Sequence, residues 1–323
     1  MEAHPISVII PNYNGKNLLE KNLPSVIAAL EHSFLSWELI IVDDASADDS
    51  VAWLRKFYPQ TKLIIHPQNK GFSSACNTGI ASAQHELLML LNSDIVLPVG
   101  FFDGSLSAFS DPKTFGVMSR IIGPDGRVQD TARYPRWSGG KMKFSNFYTP
   151  EKPGQLIPSI YLSGANALVR TEMIRQLGGF NELLNPFCCE DMDLGIRAWR
   201  MGWICFYDDG RSCVHDESST TRSFFKKNRI KTIYFRNRCL VHYMHLQGGR
   251  KLVWALQILF ELLFSWLILR FYIYKGIASF IGKIPAADAY RVSQPSWKNI
   301  CKTSMDEVFK HFDQIRNDSS KTA

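Results

Sequence analysis

The sequence predicts an α/β fold in which a mostly parallel β-sheet is flanked by helices. Over the first 120 residues, apolar runs of strand length alternate with stretches of helical spacing, which is typical of βαβ units. One run, Glu86–Asp94, is almost continuously apolar until its polar end, as in a strand buried on both faces. Several runs end in acids or amides, and in open α/β sheets the ligand binds at such strand ends.

The individual elements follow from the same pattern. The predicted strands are Ile6–Pro11, Glu38–Asp44, Lys62–His66, Glu86–Asp94 and Gly116–Arg120, and the predicted helices are Asn17–Glu31, Asp48–Tyr58, Ser73–Ala83 and Pro98–Phe109. The alternation fades after residue 120, and Thr131–Ser159 predicts a long loop because it is rich in Arg, Pro, Gly and aromatic residues. Regular structure resumes with Tyr161–Arg170, a helix from residue 190 and a strand at Trp203–Tyr207.

Polar residues at three strand ends point to a binding site on one rim of the sheet. They form the sequences Pro11-Asn-Tyr-Asn14, Asp43-Asp44-Ala-Ser46 and Asn92-Ser93-Asp94. Helix capping would account for any one of them, but less easily for acids at several rim positions together. The third strand leads into the glycine-bearing turn Asn69–Gly79, where a backbone can approach a ligand closely. The sequence has no GxGxxG or Walker lysine, which argues against dinucleotide and P-loop sites.

A second acidic group opens the helix that starts at residue 190. Glu190, Asp191 and Asp193 lie in its first turn, where the helix dipole favours acids, and Asp193 can pair with Arg197. Acid capping explains these residues equally well when they are considered alone. His215 follows the last predicted strand.

The C-terminal third differs from the rest in charge and hydropathy. Net charge is +7, and residues 222–283 carry twelve Lys and Arg residues against a single acid, Glu261. Within the apolar stretch Leu252–Tyr274, the run Leu252–Leu269 is at the lower limit of length for a membrane span and contains Glu261. It favours a helix in the membrane interface with basic neighbours on anionic headgroups, while a true span and a buried helix or oligomer contact remain alternatives. From Asp288 the composition predicts a polar tail, disordered at Asn317–Ala323.

Cysteine usage and the N-terminus bear on the compartment. The seven cysteines show no zinc-like spacing, and their number is odd, which favours a reducing compartment. No basic segment followed by an apolar region opens the chain, so we expect no signal peptide and a cytoplasmic protein.

Taken together, the motifs resemble glycosyltransferase family 2, in particular its rhamnosyltransferase-like bacterial members. The motifs that carry the likeness occur in the family's order and spacing: Val8–Asn14, Asp43–Ser46, Asn69-x-Gly71 with Asn77, Asn92–Asp94, Gly178–Glu182 and Glu190–Leu194. The likeness covers about residues 6–220 and continues loosely to about 283. It implies a Rossmann-like GT-A fold, with a catalytic domain at 1–221 (nucleotide-sugar half about 1–120, acceptor half about 121–221). A basic and apolar helical region at 222–287 and a polar tail at 288–323 would follow.

The resemblance also implies an activity and partners. A sugar would pass from a UDP-, dTDP- or GDP-linked donor to a hydroxyl of a glycan or polyprenyl-linked acceptor, with inversion, in polysaccharide biosynthesis for the cell envelope. The enzyme would sit peripherally on the cytosolic face of the inner membrane. A homo-oligomer is possible through the apolar helices, and nucleic acid is not expected as a partner, because the basic region lacks interleaved stacking aromatics.

Site roles carry over by the same likeness. Pro11, Tyr13, Asp44, Asn69, Gly71 and Ser93 would bind the nucleotide, Asp94 and His215 a divalent metal, and Asp191, beside Glu190, would be the general base. Mn²⁺ or Mg²⁺ would stabilise the charge on the leaving diphosphate. The family usually carries an acid where this chain has Asn92, so the metal dependence is open.

Three other functions compete with this interpretation. The missing acid at position 92 fits a nucleotide-sugar-binding protein that has lost catalysis. A nucleotidyltransferase could use a similar sheet, but it should have a glycine-rich, basic loop after the first strand, which Pro11–Gly15 is not. Nucleic-acid binding through the basic region is the third.

Overall fold

A computed structural model describes residues 4–103, 105–148, 154–215, 226–267 and 269–319. The strands are β1 Ile6–Asn12, β2 Trp37–Asp43, β3 Lys62–Ile65, β4 Leu87–Leu91, β5 Ile95–Val96, β6 Thr114–Ile122, β7 Val128–Asp130, β8 Ala132–Ser138, β9 Lys141–Tyr148, β10 Leu156–Pro158, β11 Asn166–Arg170 and β12 Ile204–His215. The α-helices are α1 Lys16–His32, α2 Ser50–Phe57, α3 Phe72–Ser82, α4 Thr171–Gln176, α5 Glu190–Arg200, α6 Lys227–His245, α7 Gly248–Phe264, α8 Tyr272–Ser293, α9 Trp297–Ile300 and α10 Met305–Ser319.

The main sheet confirms the predicted α/β fold. Its strand order is β10-β12-β6-β11-β4-β1-β2-β3, and the pairs β1–β2, β1–β4, β2–β3 and β6–β12 are parallel. Strand β11 runs antiparallel between β4 and β6, so β4 and β6 still point the same way. Every residue of Leu87–Leu91 is buried, as its apolar run predicted, and the carboxyl ends of β1, β2 and β4 lie together on one rim.

Two local predictions between residues 98 and 159 are wrong. The Pro98–Phe109 helix is reduced to a 3₁₀-helix at Ser105–Ser110, in keeping with the proline and two glycines in this stretch. The long loop predicted at Thr131–Ser159 contains the antiparallel pair β8–β9 and the strand β10. Gly139, at φ +64°, lies in the tight connection between β8 and β9.

Helix α6 belongs to the core beside the first turn of α5, although its sequence is basic. The Asn237 side-chain amide is fully buried and donates to the carbonyl oxygens of Leu184, Phe187 and Cys188 (2.5–2.9 Å). At the other end of α6, His245 Nε2 lies 2.9 Å from a carboxylate oxygen of Asp193. Because these contacts hold both α5 and the loop before it, α6 packs as part of the same folded unit as the sheet.

Asp193 is a structural acid. Its second carboxylate oxygen accepts from Arg197 Nε at 2.8 Å, the i,i+4 pair expected from the sequence, and both residues are fully buried. Arg197 also donates to the carbonyl oxygens of Leu177 and Gly179, so the ion pair is surrounded by hydrogen bonds. The pKa of Asp193 is lowered because the opposing charges of Arg197 and His245 outweigh the effect of burial.

Helix α7 has its polar side turned inward and its apolar side turned outward. Gln257 accepts from Gly140 N (2.8 Å) and donates to Ser138 O (3.2 Å), and Glu261 pairs with Lys141. The opposite side exposes more than half of each of these side chains: Leu252, Leu256, Leu259, Phe260 and Leu263. No helix among the described residues is long and apolar enough to cross a bilayer.

The polar tail predicted from Asp288 is corrected for the part of the chain that the structure describes. Helix α10 buries Phe309 and Phe312. The ring centroid of Phe309 lies 4.3 Å from that of Trp137, and the ring centroid of Phe312 lies 5.1 Å from that of Tyr134. Its apolar residues recur at helical spacing within a charged sequence, which composition alone does not reveal. Of the predicted disordered end, residues 317–319 are helical and 320–323 lie outside the described residues.

Candidate active site

A cavity of about 590 Å³ opens at the rim where β1, β2 and β4 end. All ten residues named as site candidates line it: Pro11, Tyr13, Asp44, Asn69, Gly71, Ser93, Asp94, Glu190, Asp191 and His215. They come from sequence positions more than 200 residues apart. The predicted convergence of strand ends is therefore observed, while the role of each residue stays a prediction.

Asp44 lines the cavity and also holds the glycine-bearing turn in place. One carboxylate oxygen accepts from Lys70 N (2.9 Å) and lies 2.7 Å from His66 Nδ1, and the other accepts from Gly71 N (2.7 Å). The carboxylate is nearly fully buried. Asp44 thus shapes the predicted nucleotide site, in addition to any contact with a ligand.

Gly71 cannot be replaced without strain. Its φ is +91°, and a Cβ at this position would lie 2.8 Å from Asn185 Oδ1. The Asn185 side chain accepts from Ser73 N (3.1 Å) and donates to Lys70 O (2.8 Å). The start of α3 therefore packs directly on the loop that precedes the second acidic group.

Asp94 and His215, the two predicted metal ligands, lie next to each other in the cavity. His215 Nε2 lies 3.2 Å from Asp94 Oδ2, and His215 Nδ1 lies 2.8 Å from Gln129 Oε1. Because an amide oxygen only accepts, Nδ1 donates and the Nε2 lone pair faces the carboxylate in the neutral imidazole. Asp94 Oδ1 is buried and has no hydrogen-bond partner within the described ranges. Two acceptors facing each other beside an unsatisfied carboxylate oxygen suit a cation.

The protein supplies few ligands to such a cation. Within the part of the chain that the structure describes, no group of three or more His, Cys, Asp or Glu side chains could hold a metal ion. Mg²⁺ and similar ions commonly bind one or two protein groups plus substrate phosphates and water, so the Asp94–His215 pair fits a metal that arrives with a diphosphate. Asp216 and Glu217, which follow His215, lie outside the described residues.

Glu190 and Asp191 are adjacent, half-buried acids that line the same cavity. Burial, and then the neighbouring charge of Asp191, raise the pKa of Glu190. Burial also raises the pKa of Asp191, against the hydrogen bond from Met192 N (2.7 Å) to its carboxylate. Because the pKa of Glu190 is raised further, Asp191 ionises first and is the better base near neutral pH.

A family model described as Glycosyl transferase family 2 matches residues 7–178, which is more than half of the 323 residues. The chain belongs to glycosyl transferase family 2. The matched region contains β1 to β4, their rim residues and the strand β11.

Two curated relatives of this family 2 chain come from Mycobacterium tuberculosis. A pre-mycofactocin glycosyltransferase is 25% identical over 269 residues, covering 79% of this chain but 55% of the relative, so the chain spans about half of that protein. An N-acetylglucosaminyl-diphospho-decaprenol L-rhamnosyltransferase is 27% identical over 241 residues, covering 67% of this chain and 77% of the relative. The predicted likeness to family 2 and its rhamnosyltransferases is confirmed.

Among solved structures, GalNAc-T7 with UDP, GalNAc and Mn²⁺ superposes with a TM-score of 0.56. The sequences are 15% identical, and the match covers 74% of this chain and 49% of that one. At this identity the likeness concerns the fold, and it confirms the GT-A architecture of the family 2 chain.

Sequence reasoning missed several residues of the family 2 site. Asp130 accepts from Arg133 (3.1 Å) and from the Tyr161 hydroxyl (2.5 Å), and both Asp130 and Arg133 line the cavity near the acids. They lie at or near the start of the segment predicted to be a loop, where no periodic pattern marked them. By contrast, Asn77 and Glu182, part of the quoted motifs, bond to each other (2.9 Å) and fix α3 to the turn before α5.

The half-buried Glu190 of the family 2 site should lower the stability of the folded chain at high pH. In the folded chain burial raises the pKa of Glu190 from 4.5 to about 8, so stability present below the unfolded pKa is lost as pH rises through the folded pKa. Glu190→Gln should therefore raise the free energy of unfolding at pH 8, on the order of 2 kcal/mol, and change it little at pH 4. Urea unfolding at both pH values tests this, with exposed Glu31→Gln as the control. Equal effects at both pH values would contradict the shift.

Proposed function

We propose that this chain is an inverting glycosyltransferase that moves a sugar from a nucleotide-diphosphate sugar to a hydroxyl of a lipid-linked saccharide. The observation that carries the proposal is that one cavity is lined both by the Asp94–His215 pair and by the half-buried acids Glu190 and Asp191. The names of the relatives support the substrate classes: one acts on a diphospho-decaprenol-linked sugar, and a structural neighbour holds UDP and Mn²⁺.

The donor would lie along the strand ends. Asp44, Gly71 and Ser93, with Pro11, Tyr13 and Asn69, line the side of the cavity nearest β1 to β4 and would bind the nucleotide. Asp94 and His215 would hold a divalent cation. When bound, this cation would stabilise the negative charge that develops on the diphosphate.

The acceptor hydroxyl would be activated by Asp191. Its proton passes to the Asp191 carboxylate while its oxygen bonds to the anomeric carbon. The bond from that carbon to the diphosphate oxygen breaks, and its electron pair leaves with the nucleotide diphosphate. A single displacement inverts the anomeric configuration, and only one base is required. Glu190, neutral near pH 7, avoids a second negative charge beside the base.

The donor and the acceptor would be bound by different parts of the sequence. We keep residues 1–120 as the nucleotide-sugar half and 121–221 as the acceptor half of the catalytic domain, because the rim residues come from the first part and Glu190 and Asp191 from the second. The contacts of α6 and α10 mean that these two helices complete this domain structurally.

The decisive test is transfer by the purified chain. It would be incubated with Mn²⁺, a panel of UDP-, dTDP- and GDP-sugars and a saccharide carried on a prenyl diphosphate. Product formation with an inverted anomeric centre, determined by NMR, is the expected result. A product that retains the configuration would refute the mechanism, and donor binding without transfer to any acceptor would favour a binding protein that has lost catalysis.

We also propose that the outer face of α7 lies on the cytosolic surface of an anionic membrane. The exposed apolar residues Leu252, Leu256 and Phe260 recur at helical spacing on this face. The exposed residues Arg270 and Lys275 follow α7 in the sequence. Lys231 of α6 adds a third cation, with its Nζ 5.5 Å from the ring centroid of Tyr272, at the start of α8. Cations beside an apolar face match the headgroups and acyl chains of an anionic interface.

Charged substitutions on this face should release the protein from membranes. Leu256→Glu with Phe260→Glu should lower the fraction that sediments with phosphatidylglycerol-containing vesicles at least about tenfold, since each buries an acid in the interface. Phe34→Glu, at an even more exposed apolar residue on the α1–β2 connection, is the control. Unchanged sedimentation, together with a dimer that the double variant dissociates, would show that a second copy covers α7 instead.

A further inference from the structure

A second, smaller cavity of about 240 Å³ lies behind the catalytic acids. Its lining combines residues of β8, β9, α5 and α6: Arg133, Met142, Lys143, Phe144, Cys189, Met192, Tyr234, Arg238, Val241 and His242. None of the roles assigned above uses it.

The two cavities share one wall. Glu190 and Asp191 line the first cavity, whereas their neighbours Cys189 and Met192 line the second. Arg133 lines both. The first turn of α5 therefore separates the cavities, and a molecule with one group beside Asp191 could place a second group on the other side of this turn.

The second cavity is positive. Arg133, Lys143 and Arg238 supply three cations, and no carboxylate belongs to its lining in the described part of the chain. Asp130 pairs with Arg133, but within the described ranges Lys143 and Arg238 have no ion-pair partner. Burial lowers the pKa of His242 to about 3, and burial raises the pKa of Cys189, so these two groups are neutral. The cavity therefore suits an anion with several oxygens.

The cavity also borders the inner side of α7, the helix whose outer face is proposed to meet the membrane. His242, in its wall, stacks on Trp254 at 5.8 Å between ring centroids, and Trp254 is the buried residue of α7. An acceptor could thus place its sugar at Asp191, an anionic linkage in the second cavity and a lipid chain towards α7.

We propose that the second cavity binds the phosphate or diphosphate that links the acceptor saccharide to its lipid. This inference rests on the proposed function and names the part of the acceptor that the chain recognises. Lys143 and Arg238 would contact the phosphate oxygens, and Arg133 would connect this site with the catalytic acids.

The first experiment measures selectivity between two acceptors. The saccharide used in the transfer assay is carried either on a prenyl diphosphate or on a neutral alkyl chain of the same length. Lys143→Gln and Arg238→Gln should each raise KM for the diphosphate acceptor about tenfold, and the double variant about a hundredfold. The rise in KM for the neutral acceptor should be at least about fivefold smaller. Lys227→Gln, an exposed cation at the start of α6, is the matched control. Equal effects on both acceptors, with transfer intact, would overturn this inference and leave the proposed function standing.

The second experiment needs no turnover. Calorimetric titration of inorganic pyrophosphate without divalent cations should show binding that the Lys143/Arg238 double variant loses and Asp94→Asn keeps. That pattern would support the anion site even if no donor gave transfer. Loss of binding in Asp94→Asn alone would place pyrophosphate in the first cavity and overturn the inference. A prenyl diphosphate should bind at least about tenfold more tightly than pyrophosphate, and equal affinities would refute a lipid-linked source.

Discussion

Asp191→Asn should lower kcat for sugar transfer by about 10³-fold and change donor affinity by less than about twofold. The amide keeps the shape of the side chain but cannot take the proton of the acceptor hydroxyl. Steady-state kinetics and calorimetric binding of the donor nucleotide measure the two effects. Full activity in this variant would refute the assignment of the base.

The pH dependence provides an independent check on the same residue. Burial raises the pKa of Asp191 to about 6, and only its ionised form accepts a proton, so wild-type kcat should fall as pH drops through about 6. The residual activity of Asp191→Asn should lack this acidic limb. Persistence of the limb in the variant would assign the titration to another group.

Asp94→Asn should raise the Mn²⁺ concentration needed for half-maximal transfer at least about a hundredfold, and His215→Ala about tenfold. The loss of a carboxylate removes charge as well as a ligand, so its effect should be larger. Binding of Mn²⁺ in the presence of the nucleotide diphosphate, followed by calorimetry, gives a readout that does not depend on turnover.

Asn92→Asp is the matched variant for this prediction. It introduces an acid at a position that lines the same cavity, where the resemblance to family 2 implies one, and should lower the required Mn²⁺ concentration. Metal-dependent transfer that survives His215→Ala unchanged would show that His215 is not a ligand.

Sequence reasoning succeeded where local patterns decide the structure. The apolar run of β4 had one reasonable interpretation, and parallel strand ends must converge, so Asp44 and Asp94 could be placed on one rim without coordinates. Position on the rim did not reveal that both Asp44 oxygens already hold the turn at Gly71.

Sequence reasoning failed where contacts between residues distant in sequence determine the position of a side chain. The composition of α7 suggested that Gln257 and Glu261 interrupt an apolar face, yet both point inward because the β8–β9 connection offers them partners. Asp130 and Arg133 were missed for the same reason, since their relevance depends on how β7 and β8 pass the acids of α5. Likewise, the fully buried pair of Asp193 and His245 joins residues 52 positions apart.

The hydrogen bonds between α6 and the loop before α5 also limit how segments of related enzymes could be combined in one chain. Asn237 donates to three carbonyl oxygens of this loop, His245 contacts Asp193, and Thr303 O accepts from Arg200. A hybrid enzyme that joined the acceptor half of one relative to the C-terminal helices of another would have to rebuild all these contacts. The proposed acceptor preference and the proposed membrane attachment should therefore be inherited together.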